Sequence, residues 1–198
     1  MAKINKTRYI ILGIVSMKPA SGYDIKKWVE ETFSFFWDIG YGQIYPTLEG
    51  LEKDGLVFKS TQIEDGRPIR HEYEITPAGR EELQKWMTLP VEEEKCRYEI
   101  LVKLFFGYMM PVEENIRIIE EFRDKKLREM ELLKKFDYDI QEFINTKPQH
   151  VYPLLTLLMG IHSFKSCIDW ADEAIGILKQ VQKNNEQANN TDNNKQEE

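Results

Sequence analysis

Cysteine and histidine are scarce in this chain of 198 residues, which has two cysteines and three histidines. Cys96 and Cys167 have no Cys or His nearby at ligand spacing, so both read as buried or inert thiols. His150 and His162 stand 12 residues apart, about three and a third turns at 3.6 residues per turn, and so do not share a helix face as joint metal ligands. No Gly-rich phosphate loop, no Gly-x-Ser-x-Gly elbow and no His/Cys/carboxylate cluster at metal spacing occurs, which argues against an enzyme and against a metal or cofactor. No uninterrupted apolar run approaches the roughly 20 residues of a bilayer span, and Met1 to Lys18 lacks a cleavage pattern. A cytoplasmic protein with no membrane partner is the expectation. Basic charge is also short, with 27 Lys and Arg against 34 Asp and Glu for a net of −7. That balance excludes a protein that is basic overall, but not a local basic patch. Residues 1–90 hold 12 basic and 13 acidic side chains, and residues 1–27 hold Lys3, Lys6, Arg8, Lys18, Lys26 and Lys27 against Asp24 alone. Local potential, rather than net charge, meets phosphate.

What the chain does have is a globular composition, 41% apolar and 12% aromatic, and one run that reads as a helix shaped for a groove. From Tyr41 to Val57, Ile44, Leu48 and Leu51 recur at i, i+4 and i+7 and form an inward face. The other face opens with Tyr41, Gln43 and Tyr45, and a Gln amide can pair with both polar atoms of a base edge in the major groove. Pro46 fits a first helical turn, where the missing N–H is not needed, and Gly55 ends the helix. Upstream, Arg8 to Met17 and Tyr23 to Phe33 read as two further helices, the second capped by Ser21. Downstream, Leu56 to Ile63 and His71 to Ile75 are β-favouring runs around a tip that carries Arg67 and Arg70, whose guanidinium groups suit phosphate or a narrow minor groove. Helix-turn-helix plus hairpin is a winged helix. Its candidate contacts to double-stranded DNA are Lys6, Arg8, Tyr23, Lys26, Lys27, Tyr41, Gln43, Tyr45, Arg67 and Arg70. The competing reading is a winged helix used for protein association.

The second half reads as long helices. Leu89 to Glu94 resembles a linker, a short helix from about Arg97 to Tyr108 follows, and Pro111 opens a long helix reaching about Asn145 with apolar steps near 3.5 residues. After Thr146-Lys147-Pro148 another helix runs to about Gln182 with a stripe from Leu154 to Val181. Two such stripes exceed what one chain can bury, so a homodimer is expected. Asn184 to Glu198 lacks apolar anchors and reads as a disordered tail. The boundaries are therefore 1–90, 91–183 and 184–198, in a mainly α fold with a small β-hairpin: an N-terminal winged helix-turn-helix and a C-terminal long-helix dimerisation domain.

Several segments together resemble the PadR family of bacterial transcriptional regulators. They are Ile11-Leu12-Gly13, Ser21-Gly22-Tyr23-Asp24-Ile25, Phe36-Trp37, Gln43-Ile44-Tyr45-Pro46-Thr47-Leu48, Leu51-Glu52-Lys53-Asp54-Gly55-Leu56-Val57, Gly66-Arg67-Pro68, and Tyr73-Glu74-Ile75-Thr76-Pro77-Ala78-Gly79-Arg80. In the C-terminal half, Tyr98-Glu99-Ile100-Leu101-Val102-Lys103 and Asp169-Trp170-Ala171-Asp172-Glu173-Ala174 look like the branch that contains phenolic-acid-responsive repressors and a virulence-gene activator. The resemblance implies a homodimeric regulator, a repressor or an activator, on an inverted-repeat operator. It also implies a small aromatic effector, with His150, Tyr152, His162 and Trp170 as candidate lining and Trp86 a weaker one.

Overall fold

The computed structural model describes residues 5–62, 70–93, 96–134, 144–146 and 148–196, with backbone alone at 62, 148 and 188–196. The chain divides into two compact units, Met1–Glu93 and Glu94–Glu198.

The first unit begins with α1 (Lys6–Met17), capped by Asn5, whose side chain accepts from the Thr7 N–H at 3.1 Å. Helix α2 (Gly22–Thr32) starts from a full capping box. The Ser21 hydroxyl accepts from the Asp24 N–H, and the Asp24 carboxylate accepts from the Ser21 N–H at 2.9 Å, so two otherwise orphaned donors are satisfied reciprocally. Helix α3 (Tyr41–Lys53) ends where Gly55 takes φ +71°. There the Leu56 N–H reaches the Leu51 carbonyl at 2.9 Å and the Gly55 N–H reaches Glu52 at 3.0 Å. This pair of bonds is a Schellman ending, and it requires the left-handed residue that glycine supplies at least cost.

Pro46 is placed differently from the expectation. It is the sixth residue of α3, beyond the first turn, so the Gly42 carbonyl loses its usual i+4 donor. Gly42 is exposed, with open space where a Cβ would stand; solvent reaches this turn, which lowers the cost of the missing bond.

Strands β1 (Val57–Gln62) and β2 (Arg70–Ile75) pair antiparallel in the register Val57 with Ile75 through Gln62 with Arg70. Ala20 joins β2 through two backbone bonds to Tyr73, at 3.1 and 2.9 Å. The turn before α2 is thereby stitched to the wing. Helix α4 (Pro77–Met87) follows, capped by Thr76 with Pro77 in its first turn. Ile44, Leu48 and Leu51, the inward face expected from periodicity, join Ile11, Leu12, Ile25, Val29 and Ile39 in the core, and all eight are at most 1% exposed. Each such side chain contributes about 1.5–3 kcal/mol of burial.

In the second unit, α5 (Glu99–Phe105) and a 3₁₀ turn (Gly107–Met109) precede α6 (Val112–Lys134), and α7 (Val151–Gln196) closes the chain after a second 3₁₀ turn (Pro148–His150). Pro111 lies one residue before the first helical position, its carbonyl accepting from Glu114 and Asn115. The continuation of α6 toward Asn145, with Phe136, Ile140 and Phe143, falls outside the described residues. Cross-links between Glu113 and Gln182, Arg123 and Asp172, and Lys126 and the Phe164 ring run in opposite sequence directions, so α6 and α7 are antiparallel. Ile116, Ile119, Ala171 and Ile175 form their shared core.

Composition suggests a tail without structure after Lys183, whereas α7 continues as backbone helix to Gln196. Extending an existing helix avoids the cost of nucleation, while the six asparagines of 184–196 add little helix propensity of their own.

Candidate nucleic-acid interface

The outer face of α3 is built as its periodicity implies. With Ile44, Leu48 and Leu51 buried, Tyr41, Gln43 and Tyr45 point away from the core and are exposed. The Tyr41 and Tyr45 rings stack at 6.3 Å between centroids, 17° from parallel. Tyr45 also leans on the start of α2: a Cβ at Gly22 would stand 2.7 Å from its Cε1. Tyr23, one residue on, is 62% exposed. One contiguous surface of aromatic edges and an amide therefore crosses α2 and α3.

The basic residues expected to grip phosphate are engaged with carboxylates. Lys6 pairs with Glu92 at 3.3 Å, Arg8 with Asp54 at 3.0 Å, and Lys27 with Glu31 at 3.8 Å. Lys26 sits between Glu30 and Asp38, each at 3.2 Å, and these two hydrogen bonds hold its pKa above the usual lysine value. Arg70 is the first residue of β2 rather than part of the tip, and it bridges Asp24 and Glu72. Arg67 lies outside the described residues. Lys18 and Lys53 have no ion pair among the described residues. Burial raises the Asp24 carboxyl, but hydrogen bonds from the Ser21 side chain and backbone, together with the Arg70 charge, outweigh it and leave the pKa below the ordinary value.

The carboxylate partners were not singled out by sequence reasoning. The Ser21-x-x-Asp24 spacing is a legible capping signal, whereas Asp38 and Asp54 carry no local signature of their pairing.

The helical unit contains a cavity of about 290 Å³ bordered by Tyr98, Leu101, Phe122, Cys167 and Trp170. That volume is at the lower end for a small-molecule site. Trp170 meets Phe122 edge-on at 5.9 Å. The adjacent Cys167 thiol and burial both push the Tyr98 phenol up. Of the four effector candidates, Trp170 lines this cavity. His150, Tyr152 and His162 do not, and all three are exposed. Tyr152 and Trp170 share a helix face but lie 18 residues apart, about 27 Å along the axis at 1.5 Å per residue. Trp86 instead stacks on Tyr9 at 4.6 Å, joining α4 to α1. Among the described residues no group of His, Cys, Asp or Glu could hold a metal ion.

Residues 11–85 match the transcriptional regulator PadR-like family, and residues 96–179 match the virulence activator alpha C-terminal family. The probable transcriptional regulator Rv1176c of Mycobacterium tuberculosis is 26% identical over 87% of this chain and 97% of its own. The crystal structure of smu.1604c from Streptococcus mutans superposes with a TM-score of 0.70 at 32% identity, over 85% of this chain and 98% of that one. The negative transcriptional regulator PadR of Bacillus subtilis is 32% identical over 50% of this chain and 55% of its own. Its structure with operator DNA covers 88% of this chain and 99% of that one, with a TM-score of 0.74 at 22% identity, and it has also been solved with p-coumaric acid. The two family matches lie in sequence order along the two structural units, and the chain belongs to the PadR-like family of DNA-binding transcriptional regulators, not to an enzyme family.

Proposed function

We propose that the chain is a homodimeric repressor that seats α3 in the major groove of each half of an inverted-repeat operator. The observation carrying this reading is the outward face of Tyr41, Gln43 and Tyr45 on a helix whose opposite face is locked in the core. In this reading Gln43 reads a base edge, Tyr23 flanks it, Arg67 reaches the neighbouring backbone from the wing, and Lys6, Arg8, Lys26 and Lys27 exchange carboxylates for phosphates. A two-fold dimer on such DNA requires half-sites about one helical turn apart or a multiple of it.

Dimerisation is supported by apolar surface too extensive for an isolated chain. On α7, Tyr152, Leu155 and Met159 are 72%, 56% and 68% exposed, and Phe105, Tyr108 and Met109 around α5 are exposed further still. Val151–Gln187 is long and apolar enough to cross a membrane by length and composition. A second copy of the chain accounts for that apolarity and suits a protein acting on DNA in the cytoplasm.

Repression is favoured by the relative named a negative regulator; the match of residues 96–179 to a virulence-activator family makes activation the second reading. A small phenolic or planar aromatic effector in the cavity beside Trp170 would release the operator by binding the two arrangements of the dimer unequally. The test is fluorescence anisotropy on the chain's own upstream DNA against a scrambled duplex across a salt series, repeated with hydroxycinnamic acids. Selective, salt-sensitive binding weakened by a phenolic acid supports the whole reading. Weak, salt-insensitive binding to both duplexes supports a protein-association module instead.

A further inference from the structure

The turn Ser21-Gly22-Tyr23-Asp24 touches both halves of the proposed DNA face. Toward α3, Gly22 leaves room for the Tyr45 ring, and any Cβ there would stand 2.7 Å from it. Toward the wing, Ala20 exchanges two backbone hydrogen bonds with Tyr73, and the Arg70 guanidinium reaches the Asp24 carboxylate across 46 residues of sequence. Nε of the same guanidinium pairs with Glu72 at 3.3 Å. Asp24 is itself fixed, because the Ser21 hydroxyl donates to it at 2.7 Å and the Ser21 N–H at 2.9 Å. Arg70 therefore rests on an oriented carboxylate at the start of a helix, and two of its three guanidinium nitrogens are committed to protein.

We infer that Arg70 is a positioning residue that clasps the wing to the start of α2, setting the distance between wing and α3, and does not serve as a phosphate contact. A planar fork suits this task, since it fixes two carboxylates in one geometry where an ammonium would fix neither direction. The inference rests on α3 and the wing forming the DNA face, and it deepens that reading by giving its framework a named joint.

The two roles for Arg70 make opposite claims about Asp24. If Arg70 grips phosphate and Asp24 merely stands beside it, removing the carboxylate charge relieves repulsion of DNA, and Asp24→Asn binds as tightly or more tightly. If the pair is a clasp, Asp24→Asn weakens operator binding, although Asn keeps an acceptor for the Ser21 N–H and a good helix start. The expected loss is about three- to tenfold for Asp24→Asn and for Arg70→Ala, the range of a partly exposed charge network. The double variant should be no worse than either single one. In all three the slope of log affinity against log salt should stay at the wild-type value, because no phosphate contact is lost.

Amide hydrogen exchange of 70–75 in the free protein supplies a readout without DNA: both single variants should exchange faster there while the buried amides of α1 keep their protection, which also establishes that they fold. Tighter or unchanged binding by Asp24→Asn, or a salt slope reduced by about one in Arg70→Ala, would overturn the inference, as would unaltered exchange in β2. Failure of the wild-type chain to select its operator would overturn the DNA-face reading instead and leave the exchange result standing.

Discussion

Two glycines make opposite demands, and exchanging each for alanine tests the packing that supports α3. Gly79, in the first turn of α4, is buried, and a Cβ there would lie 2.1 Å from the Leu56 backbone carbonyl oxygen and 2.8 Å from Ile75 Cγ1. The Leu56 carbonyl cannot swing aside freely, because it accepts from the Thr76 N–H at 3.0 Å. Nor can Thr76, whose hydroxyl donates to the Gly55 carbonyl at 2.8 Å and accepts from the Gly79 N–H at 3.1 Å. Relief of the clash must move α4 away from the end of α3. Overpacking of this kind costs about 1–3 kcal/mol, and the backbone obstacle puts Gly79→Ala near the top of that range. For a unit of this size, about 3 kcal/mol lowers the melting temperature by roughly 12–24 °C. Gly50, on the exposed side of α3, has no atom within 4 Å of its would-be Cβ and no positive φ, so Gly50→Ala should stabilise by about 0.4–1 kcal/mol. Urea unfolding followed by circular dichroism measures both. A Gly79→Ala protein within about 0.5 kcal/mol of wild type would refute the described junction of α3, the hairpin and α4.

Replacing Gln43 with Ala should cost about 1–3 kcal/mol of operator binding while leaving affinity for random DNA unchanged, as read by anisotropy; full sequence preference in the variant would remove Gln43 from base reading. Leu155→Glu combined with Met159→Glu, at positions already exposed in the single chain, should leave the helical unit folded but yield monomers in sedimentation velocity. A persistent dimer would mean that another face pairs. The lowered Asp24 pKa gives stability that is fully present above the unfolded value near 3.8 and is lost as the pH falls through the folded value. At 34% side-chain exposure the loss should stay below about 1 kcal/mol; the stability advantage of wild type over Asp24→Asn should be constant above about pH 4 and shrink as the pH falls below it.

The features legible in the sequence are those whose physics is local. Ile44, Leu48 and Leu51 declare a buried face by spacing, Ser21 and Gly55 declare where helices begin and end, and the β-favouring runs on either side of Gly66 declare a hairpin. Pro46 sits deeper in the helix than its sequence context suggests, because a proline marks a first turn only when the start of the helix is known, and here Gly40 and Tyr41 set that start. The cavity is harder to read, since Tyr98, Phe122 and Trp170 come from separate segments brought together by helix packing. His150 and Tyr152 are conspicuous residues next to a helix break, but they stand at the surface.

Charge shows the same division most sharply. Counting residues reveals a basic N-terminal patch, but not that Lys6, Arg8, Lys26, Lys27 and Arg70 each have a carboxylate within 4 Å. On the proposed DNA face, a phosphate approaching Lys6, Arg8, Lys26 or Lys27 must displace its carboxylate, so each such contact exchanges one ion pair for another instead of adding a new one. With α3 seated as proposed, less of the electrostatic gain is then left to favour arbitrary DNA, and a larger share of operator affinity would fall to groove fit and to the Tyr41, Gln43 and Tyr45 face. For a regulator that must find a few sites among a genome of competitors, weak non-specific binding raises the ratio that matters. The acidic balance of the chain, which at first argues against a DNA-binding role, is in this sense compatible with selectivity.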